Sequence, residues 1–217
     1  MTKCPMPGAV YFDLDGTLVD TRDDLCATVN HTRIDLGLNE RPAGEIICHV
    51  GLGARHLLAE TIPEHAGDID ELWRIFMSHY GEHAIDKARL YPHVAETLEQ
   101  LRARGWVLGV NTAKPAFATH ALLAHLGIAH YFGKVVVAGG DCQEMKPSAL
   151  PLRHCAQRAG RELSQCDWMV GDNWTDVECA ANAGVGSIFC RFGFGVLRES
   201  HPTAQINSFD EILQVVC

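Results

Sequence analysis

The chain has no excess of positive charge: 18 lysines and arginines face 27 aspartates and glutamates, a formal net charge of −9. A nucleic acid or an anionic membrane needs a basic face, so neither is expected as a partner, and an anionic substrate needs local help from a metal or a few placed cations. No apolar stretch approaches membrane-spanning length, and Met1-Thr2-Lys3-Cys4-Pro5-Met6-Pro7 lacks the apolar core of a secretion signal, so a cytoplasmic location is the expectation. The nine cysteines include no Cys-x-x-Cys pair and are odd in number and scattered, which points to reduced thiols rather than a disulfide framework. Zinc-type spacing is missing as well: His79 and His83 lie four apart but lack the Glu of a His-Glu-x-x-His motif, so the twelve histidines read as surface and helix-face residues. No internal repeat or low-complexity tract occurs.

What is present suits a globular protein of one domain with a sizeable insertion, or of two small ones, with 47% apolar residues in 217. The apolar run Ala9-Val10-Tyr11-Phe12 reads as a buried strand and leads straight into Asp13-Leu14-Asp15-Gly16-Thr17-Leu18-Val19-Asp20. Residues i and i+2 of a strand face the same way, roughly 6 to 7 Å apart, so Asp13 and Asp15 can converge on one small anionic group. Two carboxylates in one site repel, and a hard divalent cation relieves that repulsion; an ordinary strand-to-turn exit is the alternative reading.

After Asp20 the spacing turns helical. Thr21 with Asp24 is a helix start, Leu25, Val29, Thr32 and Leu36 recur at helical intervals, residues 43–49 and 53–62 read as short helices around Gly51-Leu52-Gly53, and a long helix spans Leu72 to Ile85. From Tyr91 the chain alternates: helices over 93–104, 115–126, 148–159 and 174–183 stop at Gly105, Gly127, Gly160 and Gly184 and feed strands at 106–110, 135–137, 168–170 and 187–190. This is a βαβ series, an α/β doubly wound parallel sheet, with residues 1–17 and 89–217 as the core and 18–88 as an inserted all-helical unit.

Four polar clusters follow four expected strands: Asp13/Asp15, Thr112 with Lys114, Lys146, and Asp172 with Asp176. Parallel strands bring their carboxyl ends to one edge, so these residues meet there. Singly each has a plainer reading: Asp176 as a helix-dipole partner, Lys146 as a solvated lysine at a helix entry.

In this order, Asp-x-Asp-Gly-Thr, the strand-two Thr112, Lys146-Pro147 and Gly171-Asp172-x-x-x-Asp176 resemble the haloacid dehalogenase-like hydrolase superfamily with its Rossmann-like core. Asp20-Thr21-Arg22-Asp23-Asp24-Leu25, Leu36-Gly37-Leu38, Val50-Gly51-Leu52-Gly53-Ala54-Arg55, Thr112-Ala113-Lys114-Pro115 and Phe192-Gly193-Phe194-Gly195 resemble its phosphoglycolate phosphatase branch, which carries a helical cap where residues 18–88 lie. The resemblance implies a phosphomonoesterase in which Asp13 becomes an aspartyl phosphate and Asp15 serves as acid and then base. It implies Mg²⁺ held by Asp13, the Asp15 carbonyl and Asp172, charge neutralisation by Thr112 and Lys146, orientation by Asp176, and Gly16, Thr17, Ala113 and Asn173 in support. Arg55, Gly53 and Lys114 are the substrate-binding candidates, with Arg55 meeting a carboxylate or else facing solvent.

A small phosphorylated metabolite is the implied partner, 2-phosphoglycolate foremost, with a sugar-phosphate phosphatase or a β-phosphoglucomutase-like mutase as alternatives; the protein is expected to be a monomer or weak homodimer. Asp15 argues against carbon–halogen cleavage, and the absence of lysine between Lys3 and Lys87 argues against a Schiff-base phosphonatase. A phospho-accepting receiver module, the different-class alternative, has half this length and no use for Asp15. Ala113 stands where the branch commonly has Asn, Asn111 where it has an apolar or small residue, and Trp174 is bulky beside an expected metal ligand and could face the cap; these departures bear on contacts near the phosphate.

Overall fold

The computed structural model describes residues 7–65 and 67–216. In chain order the elements are β1 (Ala9–Phe12), β2 (Val19–Asp20), α1 (Arg22–Asp35), α2 (Ala43–Ile47), α3 (Ala54–Thr61), α4 (Ile69–His83), β3 (Arg89–Leu90), α5 (Val94–Ala103), β4 (Val107–Pro115), α6 (Ala116–His125), α7 (Ala129–Phe132), β5 (Val136–Gly139), α8 (Leu150–Arg158), β6 (Trp168–Gly171), α9 (Trp174–Ala183), β7 (Gly186–Cys190), β8 (Ala204–Ile206) and α10 (Ile212–Val215).

Six strands form one parallel sheet in the order β5-β4-β1-β6-β7-β8, with Phe12 level with Val110 on one side and Val170 on the other. From β1 the chain winds outward through β4 and β5, then returns to the other flank of β1 with β6. The strand order therefore reverses between β1 and β6, and the crevice beyond their carboxyl ends is where open α/β sheets bind ligands. Asp13 and Asp172 follow those two ends.

Alternation along β1 divides the core into two layers. Val10 and Phe12 pack with Leu98, Leu101, Val110 and Leu122 on one face. Ala9 and Tyr11 pack with Leu152, Cys155, Met169 and Cys179 on the other. Helices α5, α6, α8 and α9 each run into the glycine expected to stop them, all four at positive φ.

Helices α1 to α4 enclose a third apolar cluster, built on Val29, Ile46, Leu58, Leu72, Phe76 and Tyr80 and joined by Ala118 of α6. Each such fully buried side chain contributes about 1.5–3 kcal/mol. Leu18 and Val19, by contrast, pack with the sheet. The chain leaves the sheet through β2 and returns through β3, which pair antiparallel, Asp20 opposite Arg89. The buried Asp20 carboxylate grips both Arg22 (2.8 Å) and Arg89 (2.9 Å), and the Asp24 carboxylate accepts the Lys87 amide at 2.9 Å.

Several expectations need correction. Helix α1 starts where expected, but Thr21 makes no side-chain cap: its hydroxyl donates to Asp15 Oδ1 at 2.7 Å, and Asp24 is turned to Lys87. Strand β4 runs five residues beyond the expected 106–110, because past an irregularity between Asn111 and Pro115 it pairs again with Gly139. The short β2, β3 and β8 were not expected. Cys166 is disulfide-bonded, against the expectation of reduced thiols throughout, whereas Cys26, Cys48, Cys142, Cys155, Cys179 and Cys190 are free. Scattered spacing does not stop folding from bringing two thiols together. Among the described residues no helix is long and apolar enough to cross a membrane.

Candidate active site

The carboxyl edge of the sheet gathers charge that the sequence scatters over 160 positions. Asp13 lies just past β1, its amide donating to Val170 O of β6 at 2.9 Å. Lys146, in the segment between β5 and α8, places its buried ammonium 3.1 Å from Asp13 Oδ1 and 2.6 Å from Asp176 Oδ1. Asp176 occupies the first turn of α9 in a capping box: Asn173 accepts from the Thr175 amide at 3.3 Å and Asp176 Oδ2 accepts from the Asn173 amide at 3.0 Å. Asp176 is therefore both a helix cap and the ion-pair partner of Lys146, which unites the two readings of it.

Asp172 is held from a side the sequence reading did not assign. Its Oδ2 accepts the amides of Phe194 (2.9 Å) and Gly195 (2.7 Å) from the loop after β7. That loop approaches so closely that a Cβ on Gly193 would lie 2.3 Å from the Asp172 Cβ. Alternating glycines after the last core strand, Gly193 and Gly195, were the available signal. Gly16 is similarly constrained: its φ is +81° and a Cβ there would fall 2.0 Å from Asp172 Oδ2.

Three carboxylates, Asp13, Asp172 and Asp176, thus bring one oxygen each within 4.8 Å of one another, all buried. Burial, then the charges of Asp13 and Asp176, push the Asp172 carboxyl well above its ordinary pKa, and burial raises Asp176 against the opposing pull of Lys146. Burial also disfavours charge on Lys146, but Asp13 and Asp176 more than offset it and raise the ammonium's pKa. One ammonium against three buried carboxylates leaves a deficit of positive charge among oxygen donors only, which suits a hard divalent cation. The acidic cluster includes Asp176, which Lys146 already engages, whereas the Asp15 carboxylate is turned elsewhere.

Asp15 Oδ1 accepts from the Thr21 hydroxyl and from Lys114 Nζ at 3.0 Å. Lys114 is buried, with Tyr80 beneath it and the ammonium 5.0 Å from the ring centre. Burial lowers its pKa, and the charges of Asp15 and Tyr80 reverse this to a net rise. Thr112 Oγ1 accepts the Lys114 amide at 3.3 Å, and its own proton has no acceptor among the described residues. Thr17 is fully buried with no hydroxyl partner among the described residues.

A cavity of about 40 Å³ lies between this edge and the four helices. Asp13, Asp15, Thr112, Ala113, Lys114, Asp172 and Asn173 line it from the sheet; Leu25, Leu57, Phe76, Tyr80, Gly51 and Gly53 line it from the helices. Asn173 Nδ2 donates across it to Val50 O at 3.2 Å. Lys146 and Asp176 lie behind Asp13, outside the lining. Arg55 is not brought to the site. Its guanidinium is half exposed, paired with Asp70 at 2.8 Å and stacked 5.2 Å from the Trp73 ring centre, because helix α3 turns that position outward. Asn111 points away too, its amide near Met169 and Cys179 sulfurs within the core, and Trp174 packs under Arg198.

A doubly wound sheet with buried aspartates and a lysine at its switch point, roofed by inserted helices, is the fold and site of the phosphatase class to which the chain's relatives belong. The chain belongs to the haloacid dehalogenase-like hydrolase family, whose family model matches residues 10–190, and to its phosphoglycolate phosphatase-like branch. It is similar to a phosphoglycolate phosphatase of Agrobacterium fabrum, 37% identical over 201 residues (89% of this chain, 84% of that one). A phosphoglycolate phosphatase of Chromobacterium violaceum is 36% identical over 214 residues, 96% of both chains. The crystal structure of a protein from Haemophilus somnus, described as a predicted phosphoglycolate phosphatase, superposes with a TM-score of 0.87 at 28% identity, covering 96% of this chain and 97% of that one.

Proposed function

We propose that the protein is a Mg²⁺-dependent phosphomonoesterase that acts through an aspartyl phosphate on a small phosphorylated metabolite, 2-phosphoglycolate being the best candidate. The observation that carries this reading is the Asp13–Lys146 contact at 3.1 Å inside a buried acidic cluster at the switch point. In it Asp13 is the nucleophile: a carboxylate oxygen attacks phosphorus as the ester oxygen departs. Asp15, two residues on from Asp13, protonates that oxygen and later takes a proton from the water that hydrolyses the acyl phosphate. Thr112 donates its hydroxyl proton to a phosphoryl oxygen, and Lys146, oriented by Asp176, balances the charge that accumulates there. Asp13 and Asp172, with the Asp15 carbonyl, would hold Mg²⁺, which when bound offsets the negative charge of phosphate and carboxylates.

Residues 18–88 act as a cap over the core formed by 1–17 and 89–217: they exclude water and limit substrate size. The inward apolar side chains Leu25, Leu57, Phe76 and Tyr80 crowd the cavity opposite the acidic edge, which supports a small ester as substrate. The formal net charge of −9 supports a cytoplasmic enzyme without nucleic-acid or membrane partners. Purified protein assayed against a panel of phosphomonoesters, with and without Mg²⁺, tests the whole reading. It should release phosphate over many turnovers only with the ion and fastest from the smallest acids; one stable phosphorylation per chain, or no release, refutes it.

A further inference from the structure

We infer that Lys114 selects the substrate: its ammonium takes the carboxylate at the far end of a small phosphorylated acid, giving up Asp15 in exchange. This deepens the phosphatase reading above and rests on it.

The composition of the cavity wall carries the inference. Among the described residues that line it, Lys114 is the one cation. The facing wall is Leu25, Leu57, Phe76 and Tyr80, which offers a carboxylate no counter-charge. An anion that enters desolvated must find a charged partner, so a substrate with a second anionic group has one place to put it. Arg55, the other basic candidate, is engaged on the outer surface by Asp70 and Trp73.

Placement along β4 agrees. Although the strand is irregular between Asn111 and Pro115, Thr112 Oγ1 accepts the Lys114 amide at 3.3 Å and both residues line the cavity. A phosphate held at Thr112 by a two-carbon acid therefore has its tail within reach of Lys114. The ammonium has three N–H groups. Among the described residues Asp15 accepts one at 3.0 Å and the Tyr80 ring lies 5.0 Å from the nitrogen, so N–H capacity remains for a ligand in the cavity. Asp15 does not depend on Lys114 alone, since the Thr21 hydroxyl holds the same oxygen at 2.7 Å. When the ammonium turns to a substrate carboxylate, Asp15 stays in place with one ligand fewer, available to the departing ester oxygen. Lys114 is thus a reader of the acid tail whose resting contact is with Asp15, and an ester without that tail leaves the Lys114–Asp15 pair closed.

The test compares 2-phosphoglycolate with ethyl phosphate, which lacks the carboxylate. Wild type should favour the acid in kcat/KM, and Lys114→Met should reduce that preference about 10- to 100-fold, the range for removing a charged hydrogen-bond partner. Lys114→Arg should keep part of it, and Lys114→Gln reads the same ratio should the Met variant fold poorly. Equal losses on both esters overturn the inference, because Lys114 would then act only through Asp15. Calorimetric titration of wild type with phosphonoacetate and ethylphosphonate in Mg²⁺ reads the preference without turnover. Tighter binding of phosphonoacetate, lost in Lys114→Met, supports the role; equal binding of the two, or of neither, overturns it. Absence of phosphate release from every ester defeats the phosphatase reading instead.

Discussion

The two walls of the cavity are built on opposite plans. The sheet side packs Asp13, Asp172 and Lys114 into burial with Lys146 and Asp176 behind them, each fixed by named partners at 2.6 to 3.1 Å. The helical side presents apolar side chains to the cavity and keeps its charges away from it, Arg55 and Asp70 on the outer surface and Asp24 turned to the Lys87 amide. Buried charges hold position only where they are paired, so the first wall gives reacting groups a fixed geometry, whereas an apolar wall gives only a shape and a dry surface. Substitutions in the first should therefore damage turnover, and those in the second should damage fit or stability.

The largest effect expected is at the sheet edge. Asp13→Asn should lower kcat by about four orders of magnitude or more while the folded fraction, read by circular dichroism, is unchanged; retention of even a hundredth of the activity would remove Asp13 from the nucleophile role. Lys146→Met comes next, leaving two buried carboxylates without their ammonium: kcat should fall about 10²- to 10³-fold, and unfolding free energy by about 3–5 kcal/mol in urea titration. A smaller effect tests the acidic cluster directly. Mg²⁺ at a hundredfold excess over its Kd should stabilise the fold by about 2.7 kcal/mol, visible as a rise in Tm, and Asp172→Asn should abolish most of that rise. The smallest belongs to the helical wall's outer face: Arg55→Ala should leave the KM for 2-phosphoglycolate unchanged and cost at most about 1 kcal/mol, as for an exposed ion pair. A large KM increase there would erase the contrast between the walls.

Much of this was readable before any coordinates. Apolar runs ending in Asp13, Thr112 and Asp172, each after a glycine-stopped helix or at the chain's start, determine both a parallel sheet and the edge where its polar tips collect. That logic depends on period and punctuation, which are local. The unread features depend on tertiary placement. Thr21 has the identity of a helix cap, yet its hydroxyl goes to Asp15 because β2 brings it alongside. Arg55 has the charge a substrate carboxylate wants, but the rotation of α3 decides which way it faces. The pairing of β2 with β3 involves two residues on each strand, too short for any alternation to register. The amides of Phe194 and Gly195 carry no side-chain signature at all, and only the glycines around them hinted at so close an approach to Asp172.

The two-residue ribbon has a mechanical meaning. Since the polypeptide departs and comes back at the same spot, with Asp20 clasping an arginine from each passage, the four helices hang from the sheet by one doubled stalk. Any displacement of those helices against the sheet would therefore have to swing about that stalk rather than slide past it. Asn173, bonded to Val50 across the gap, sits where that swing would be arrested.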